Sequence, residues 1–238
     1  MYRYLYLVMT HRKEAKYMEL MKATKERRSI RAFLSKPVEK EILEELLSGA
    51  RWSPSWGNTQ PCEIIVITGK KLSNFKEKNK EAILKGRHPN PDVTMPQKWP
   101  EINKTRYREI GKRTLESLSI ARDDAEGRLN FYVDMMELFN APVLFLITTD
   151  KGIALEYSML DVGIFVQTLC LLAHERGLGT CIMAASVQYP DIIKEIVSIP
   201  ETKRIVIGVA LGWPDWNNSV NKFERSRSEL DECMQWVE

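Results

Sequence analysis

Cysteine and histidine are scarce in this chain. The four cysteines (Cys62, Cys170, Cys181, Cys233) lie far apart with no CxxC pairing, and His11, His88 and His174 add no zinc ligand set to them. Such usage fits a reduced, cytoplasmic interior. An excess of either charge is also lacking. Across 238 residues the net charge is +3, with Lys and Arg interspersed among Asp and Glu, which disfavours a nucleic-acid binder. Long apolar runs are missing too. The stretch Met1-Tyr2-Arg3-Tyr4-Leu5-Tyr6-Leu7-Val8-Met9 is short, Tyr-rich and followed by no small-residue cleavage site, so neither a signal peptide nor a membrane span is expected. Residues 1–16 read as an N-terminal extension, either an arm on a partner subunit or an upstream start. No other segment reads as long and apolar enough to cross a bilayer, and no membrane association is expected.

Several catalytic signatures are absent. No GxGxxG follows a strand, no GxxxxGK[ST] marks a P-loop, and no GxSxG elbow is present. His174 lies in an apolar helix pattern with no evident nucleophile and reads as a core or helix-end residue. Carboxylate pairs are plentiful, but none sits in a loop suited to acid–base work. Phosphate-binding chemistry without acid–base machinery points to a cofactor that supplies the reactivity.

What is present is a core. The chain is 44% hydrophobic, enough for one large domain or two small ones. Helical spacing predicts helices over residues 17–28, with Met18, Met21 and Leu20 inward, and over 39–51 through Ile42, Leu43, Leu46 and Leu47. Further helices are expected at about 101–118, 123–139, 156–176 and 188–197. The 156–176 helix is apolar around most of its circumference and belongs in a core or at a subunit interface. Ile64 to Thr68 and Ala141 to Thr148 read as buried strands, followed by Cys181 to Ala184 and Arg204 to Leu211. Ser29 to Pro37 and everything after Trp213 should be irregular or extended. Residues 85–100, rich in Pro, Asn and Gly, form an excursion. The pattern implies a central sheet with helices on both faces.

Two basic clusters stand near the chain ends, Arg27-Arg28-Ser29-Ile30-Arg31 and Arg225-Ser226-Arg227. Guanidinium forks with a small hydroxyl beside them and no carboxylate between them suit a phosphate dianion, although either cluster alone is more often a solvated helix face. Between the clusters lies Ser53-Pro54-Ser55-Trp56-Gly57-Asn58-Thr59-Gln60-Pro61. Its Pro and Gly allow backbone amides to approach a planar ring, and Ser55, Asn58 and Gln60 offer donors and acceptors to a heterocycle edge. The bland alternative is a polar turn joining helix to strand.

Five segments occur together and in order: ERRSIRAF at 26–33, SPSWGNTQP at 53–61, NAPVLF at 140–145, GLGTC at 177–181 and NKFERSR at 221–227. The chain in this respect resembles the FMN-dependent nitroreductase family over about residues 20 to 230, and among its branches the nitrobenzoate-reductase type. The resemblance implies an α+β fold, a mostly antiparallel central sheet sandwiched by helices, in an intertwined homodimer with FMN at the subunit interface. Residues 17–238 would form a single FMN-binding domain with a lid-like excursion at about 85–118. Arg27, Arg28, Ser29 and Arg31 match the family's first FMN-binding run, Arg27 toward the phosphate, Ser29 and Arg31 toward the ribityl chain and pyrimidine. Pro54, Ser55, Trp56 and Asn58, with Gln60 beside them, match the loop that reaches the flavin from the other subunit. Met183, Ala184 and Ala185 match the segment beside the isoalloxazine, where a backbone N–H meets N5. Arg225 and Arg227 match the C-terminal phosphate clamp, which the resemblance makes a neighbour of the first cluster in a dimer.

The activity implied is two-electron transfer from NADH or NADPH through FMN to a nitroaromatic, quinone or similar small flat acceptor, in alternating half-reactions, with no catalytic side chain beyond the flavin. Other chemistry on the same fold (flavin fragmentation, reductive dehalogenation) and flavin binding without turnover are the alternatives. Two departures stand out. Cys62 follows the Gln-Pro of the loop where the family commonly has an aromatic residue, and Ala-Ala fills 184–185 where many members carry Gly or an acidic residue. The excursion, with Trp99, Arg106 and Arg113, is expected to cover the site and choose the substrate.

Overall fold

The computed structural model describes residues 18–238. The expected extension at 1–16, with its Tyr-rich stretch, lies outside them. Four strands, β1 (Glu63–Thr68), β2 (Val143–Asp150), β3 (Gly179–Met183) and β4 (Lys203–Gly212), form one sheet in the order β1-β2-β4-β3. Every pairing is antiparallel, with one register shift between Ile147 and Thr148 of β2 against β4.

Strand β2 explains the layering. Its residues from Val143 to Ile147 are apolar with no alternation of polar and apolar, as a strand covered on both faces requires. Val143, Phe145 and Ile147 point to one side, where they pack with Leu43 and Leu46 of helix α2 (Lys40–Ala50) and with Val162, Phe165 and Leu169 of α6 (Leu155–Glu175). Leu144 and Leu146 point to the other, against α3 (Gly69–Leu84), α5 (Ala125–Met136) and α7 (Pro190–Ile196). Two cores therefore flank one sheet. The remaining helices, α1 (Leu20–Glu26) and α4 (Glu101–Ser117), lie outside them and bury one residue each, Ala23 and Thr114.

Several expectations change. Helix α1 is shorter than residues 17–28 and turns its other face inward. Ala23 is buried because the helix lies against α6, where a methyl permits close approach, while Leu20 and Met21 are exposed. The strand at 64–68 is an edge strand, not a buried one. Among the described residues it pairs only with β2, so Ile67 is buried while Val66 is 39% exposed. Helix α3, for which the sequence reading placed no element, sets Leu72, Phe75, Asn79 and Ala82 on one buried face. Helix α5 ends at Met136, because Leu138, Phe139 and Asn140 all adopt left-handed backbone in a tight turn that buries the first two side chains. Helix α6, contrary to expectation, is long and apolar enough to cross a membrane by length and composition. Its inward face is part of the sheet core and includes buried Ser158 and Asp161, whereas Leu160 on its outer side is 60% exposed.

Gly208 on β4 marks the tightest point of the sheet. A Cβ there would collide with the Ser186 hydroxyl and stand 2.9 Å from Leu144 Cδ1. Gly208→Ala should destabilise the protein by about 1–3 kcal/mol, the cost of overpacking a filled interior, read from denaturant unfolding midpoints.

Candidate functional site

The segment after α1 runs extended beside the sheet. Ser29 bridges Thr180 of β3 in parallel, the Ile30 amide donates to Thr180 O at 2.9 Å, and Phe33 bridges Pro214. The end of the chain returns to the same place. Asn221, fully buried, accepts from the Arg31 amide through Oδ1 (2.8 Å) and donates through Nδ2 to Ala32 O (2.8 Å) and Asp215 O (2.9 Å). One carboxamide thus fastens residues 31–32 to the C-terminal segment using both its acceptor and its donors.

This convergence brings the basic clusters together within one chain, and their adjacency needs no second subunit, contrary to expectation. The Arg225 guanidinium donates to Lys25 O (2.7 Å), Glu26 O (3.2 Å) and Arg27 O. These are the orphan carbonyls at the C-terminal end of α1, where a cation is favoured. Arg28 donates to Phe223 O and lies 5.5 Å from the Phe223 ring centroid.

A cleft of about 660 Å³ opens beside these contacts, within the range of small-molecule sites. Its walls carry Arg27, Arg28, Ser29, Arg31, Arg225 and Arg227, joined by Arg106 and Arg113 of α4, against only two carboxylates, Glu109 and Glu232. The excess of cations is felt by the side chains. Burial, then Arg225 and Arg31, hold Arg28 below its ordinary pKa; burial, then Arg227 and Arg27, do the same to Arg225. Arg27 Nε is buried with no hydrogen-bond partner among the described residues. An anion would relieve all three conditions, and the donor set fits a phosphate.

The other residues singled out by sequence lie elsewhere. The loop at 53–61 stands at the N-terminal end of α6, where the Trp56 amide donates to buried Asp161 (3.0 Å) and the Trp56 ring packs against Tyr157 at 5.4 Å. His174, at the far end of the same helix, is thirteen residues or roughly 20 Å away, and it is His174 that sits beside Arg27. Within one chain, Pro54, Ser55, Trp56, Asn58 and Gln60 therefore do not join the arginine cleft. The loop is braced internally: Asn58 N donates to Ser55 O (3.0 Å) and Gln60 N to Ser55 Oγ (2.9 Å), which holds Gly57, Asn58 and Gln60 in left-handed conformations. Ser55 is thus the hub of the turn. Met183, Ala184 and Ala185 follow the end of β3 away from Ser29 and do not line the cleft. Met183 and Ala185 are buried, Ser186 Oγ donates to Met183 O (2.7 Å), and only Ala184 is partly exposed.

Neither His174 nor the cysteines line the cleft. Burial lowers the His174 pKa, opposed by Glu26 and assisted by Arg27 and Arg225. Burial pushes Cys62 and Cys181 up to about 11, so both remain thiols at neutral pH. The sequence reading missed Asn221, although it heads the NKFERSR segment, and Phe223 inside it. It placed Arg106 and Arg113 in the substrate-choosing excursion but not beside the arginine clusters; their membership of one helix face, with Ile102, Thr105, Glu109 and Ile110 at helical spacing, was the signal available.

Asn221→Ala should lower stability by about 2–4 kcal/mol, because one part-buried amide and two part-buried carbonyls lose a fully buried partner together. Chemical denaturation of the two proteins checks this, with Asn221→Asp expected to rescue little, since a carboxylate cannot donate to the carbonyls.

Comparison with known proteins bears on the fold and the family. The model of the nitroreductase family matches residues 24–213. The chain is 33% identical over 205 residues to a 4-nitrobenzoate reductase of Pseudomonas putida, covering 84% of this chain and 88% of that one. It is 32% identical over 217 residues to a nitrobenzene nitroreductase of Ectopseudomonas oleovorans, covering 90% and 94%. The crystal structure of an FMN- and NADPH-dependent nitroreductase, NfnB from sphigopyxis sp. strain HMH, superimposes with a TM-score of 0.89 at 27% identity, over 93% of this chain and 100% of that one. The antiparallel sheet between two helical layers is thus the nitroreductase fold, and the chain belongs to the nitroreductase family.

Proposed function

We propose that the chain is an FMN-dependent oxidoreductase that passes two electrons from NADH or NADPH to a nitroaromatic, quinone or similar small flat acceptor. The observation that carries this reading is the arginine-crowded cleft, where seven arginines outnumber two carboxylates and the Arg27 Nε lacks a partner among the described residues. The relatives are named as reductases of nitrobenzoate and nitrobenzene, and the structural neighbour as FMN- and NADPH-dependent.

In this reading Arg27, Arg225 and Arg227 grip the FMN phosphate. Arg28 braces the clamp through Phe223, and Ser29 and Arg31 extend it toward the ribityl chain and pyrimidine. Arg31, whose backbone amide is held by Asn221, would bring a cation to the ring edge that gains negative charge on reduction. The segment Met183 to Ala185 would offer a backbone N–H to the flavin N5. When bound, FMN supplies the redox chemistry, accepting hydride from the nicotinamide and releasing electrons to the acceptor in a separate half-reaction. No side chain is required to shuttle protons through a triad.

The same reading includes a homodimer. The loop at 53–61 is too far from its own chain's arginine cleft, and around it Trp56, Tyr157 and Leu160 are exposed on the outer side of α6. Such a cluster of large apolar side chains fits a subunit contact. Each loop would then serve the flavin held by the other chain's arginines, with the pair working in the cytoplasm.

An anaerobic visible spectrum tests the activity. Purified protein reconstituted with FMN should carry a yellow flavin that bleaches on adding NADPH or NADH and recovers with a nitroaromatic or quinone. Flavin that stays oxidised with either nicotinamide would contradict the proposed donor, and failure to take up FMN would contradict the whole reading.

A further inference from the structure

Helix α4 covers the cleft without belonging to the core. It buries only Thr114, and polar tethers to the C-terminal segment hold it: Arg113 to Glu224 O (3.4 Å), the Ser219 hydroxyl to Ser117 O, and an Arg106–Glu232 ion pair at 2.8 Å. Its two cleft-facing arginines are not equivalent. Arg113 reaches the residue next to Arg225 and therefore sits at the phosphate clamp. Arg106 lies seven residues earlier, roughly 10 Å along the helix axis, and is paired there with Glu232 rather than with the residues of the clamp.

Its partner is informative. Glu232 also accepts from the Glu229 amide (3.2 Å) in a capping box, so this carboxylate is presented to Arg106 by a turn of the C-terminal segment. Both side chains remain about half exposed, at 47% and 49%. An ion pair in that setting is weak, so another oxyanion can replace Glu232 at little cost. The guanidinium fork suits a phosphate monoester or a carboxylate, because each presents a pair of oxygens that can accept its two parallel N–H donors.

We infer that Arg106 is a second oxyanion position in this cleft, distinct from the flavin clamp, which engages a phosphate monoester or carboxylate carried by the electron donor or the acceptor in exchange for Glu232. The inference rests on the cleft being the FMN site. It makes α4 a selector of charged over neutral substrates, with Glu232 as the internal competitor that occupies the guanidinium between turnovers.

Two substrate pairs that each differ by one anionic group provide the test: NADPH against NADH, and 4-nitrobenzoate against nitrobenzene. With FMN-loaded enzyme, Arg106→Ala should raise KM about tenfold for the member of one pair that carries the extra anionic group, the worth of one charge-assisted contact, and far less for the member that lacks it. Arg106→Lys should recover part of the loss, Glu232→Gln should lower the same KM, and flavin content per chain should stay at the wild-type level. The pair that responds identifies which substrate carries the oxyanion. Retained flavin with no selective shift in either pair overturns the inference alone. Loss of flavin in Arg106→Ala overturns it by assigning Arg106 to the phosphate clamp. Wild-type protein that takes up no FMN overturns the cofactor reading, and this inference with it.

Discussion

The buried carboxamide of Asn221 is the contact on which the rest of the cleft depends. It joins the strip after α1 to a segment about 190 residues further along the chain, using hydrogen bonds that no solvent can replace at full burial. Arg225 repeats the connection from outside, resting on the carbonyls that end α1. Without these two contacts the basic clusters would be separate surface features. With them, arginines from both chain ends face one space.

That arrangement carries an electrostatic cost. Like charges crowd together, and burial removes the water that would screen them, as the depressed pKa values of Arg28 and Arg225 register. The fold sustains it because the sheet behind is held by two independent apolar cores on either side of β2. A site that is poorly balanced in isolation and rigidly backed is one prepared for an anion. At the other end of α6 the loop at 53–61 shows a complementary incompleteness: it is internally braced and pinned to Asp161, yet presents Trp56 outward.

Much of this was legible in the residues. Strand β2 announced itself by an unbroken apolar run, and α6 by apolar residues around its circumference. Helix α3 was not, because four inward residues in sixteen are diluted by lysine, glutamate and asparagine. The orientation of α1 was not either, since Leu20 and Met21 look like core residues and the contact with α6 selects Ala23. For the site, the chemistry of the arginine clusters could be read, but their meeting could not. Sequence separation carries no distance information, and the resemblance suggested a dimer contact where the chain folds back on itself. Asn221 shows the same limit: a single polar residue becomes a keystone only once three backbone groups are known to surround it.

Affinity of the apoprotein for FMN, set beside its affinity for riboflavin, tests the central claim most directly. The two ligands share ring and ribityl chain and differ by the phosphate alone, so the comparison isolates what the converging arginines do. The account predicts FMN binding tighter than riboflavin by about a hundredfold or more, the scale of two charge-assisted contacts. Equal affinities would contradict it, because the arginine cleft would then not be where the phosphate goes.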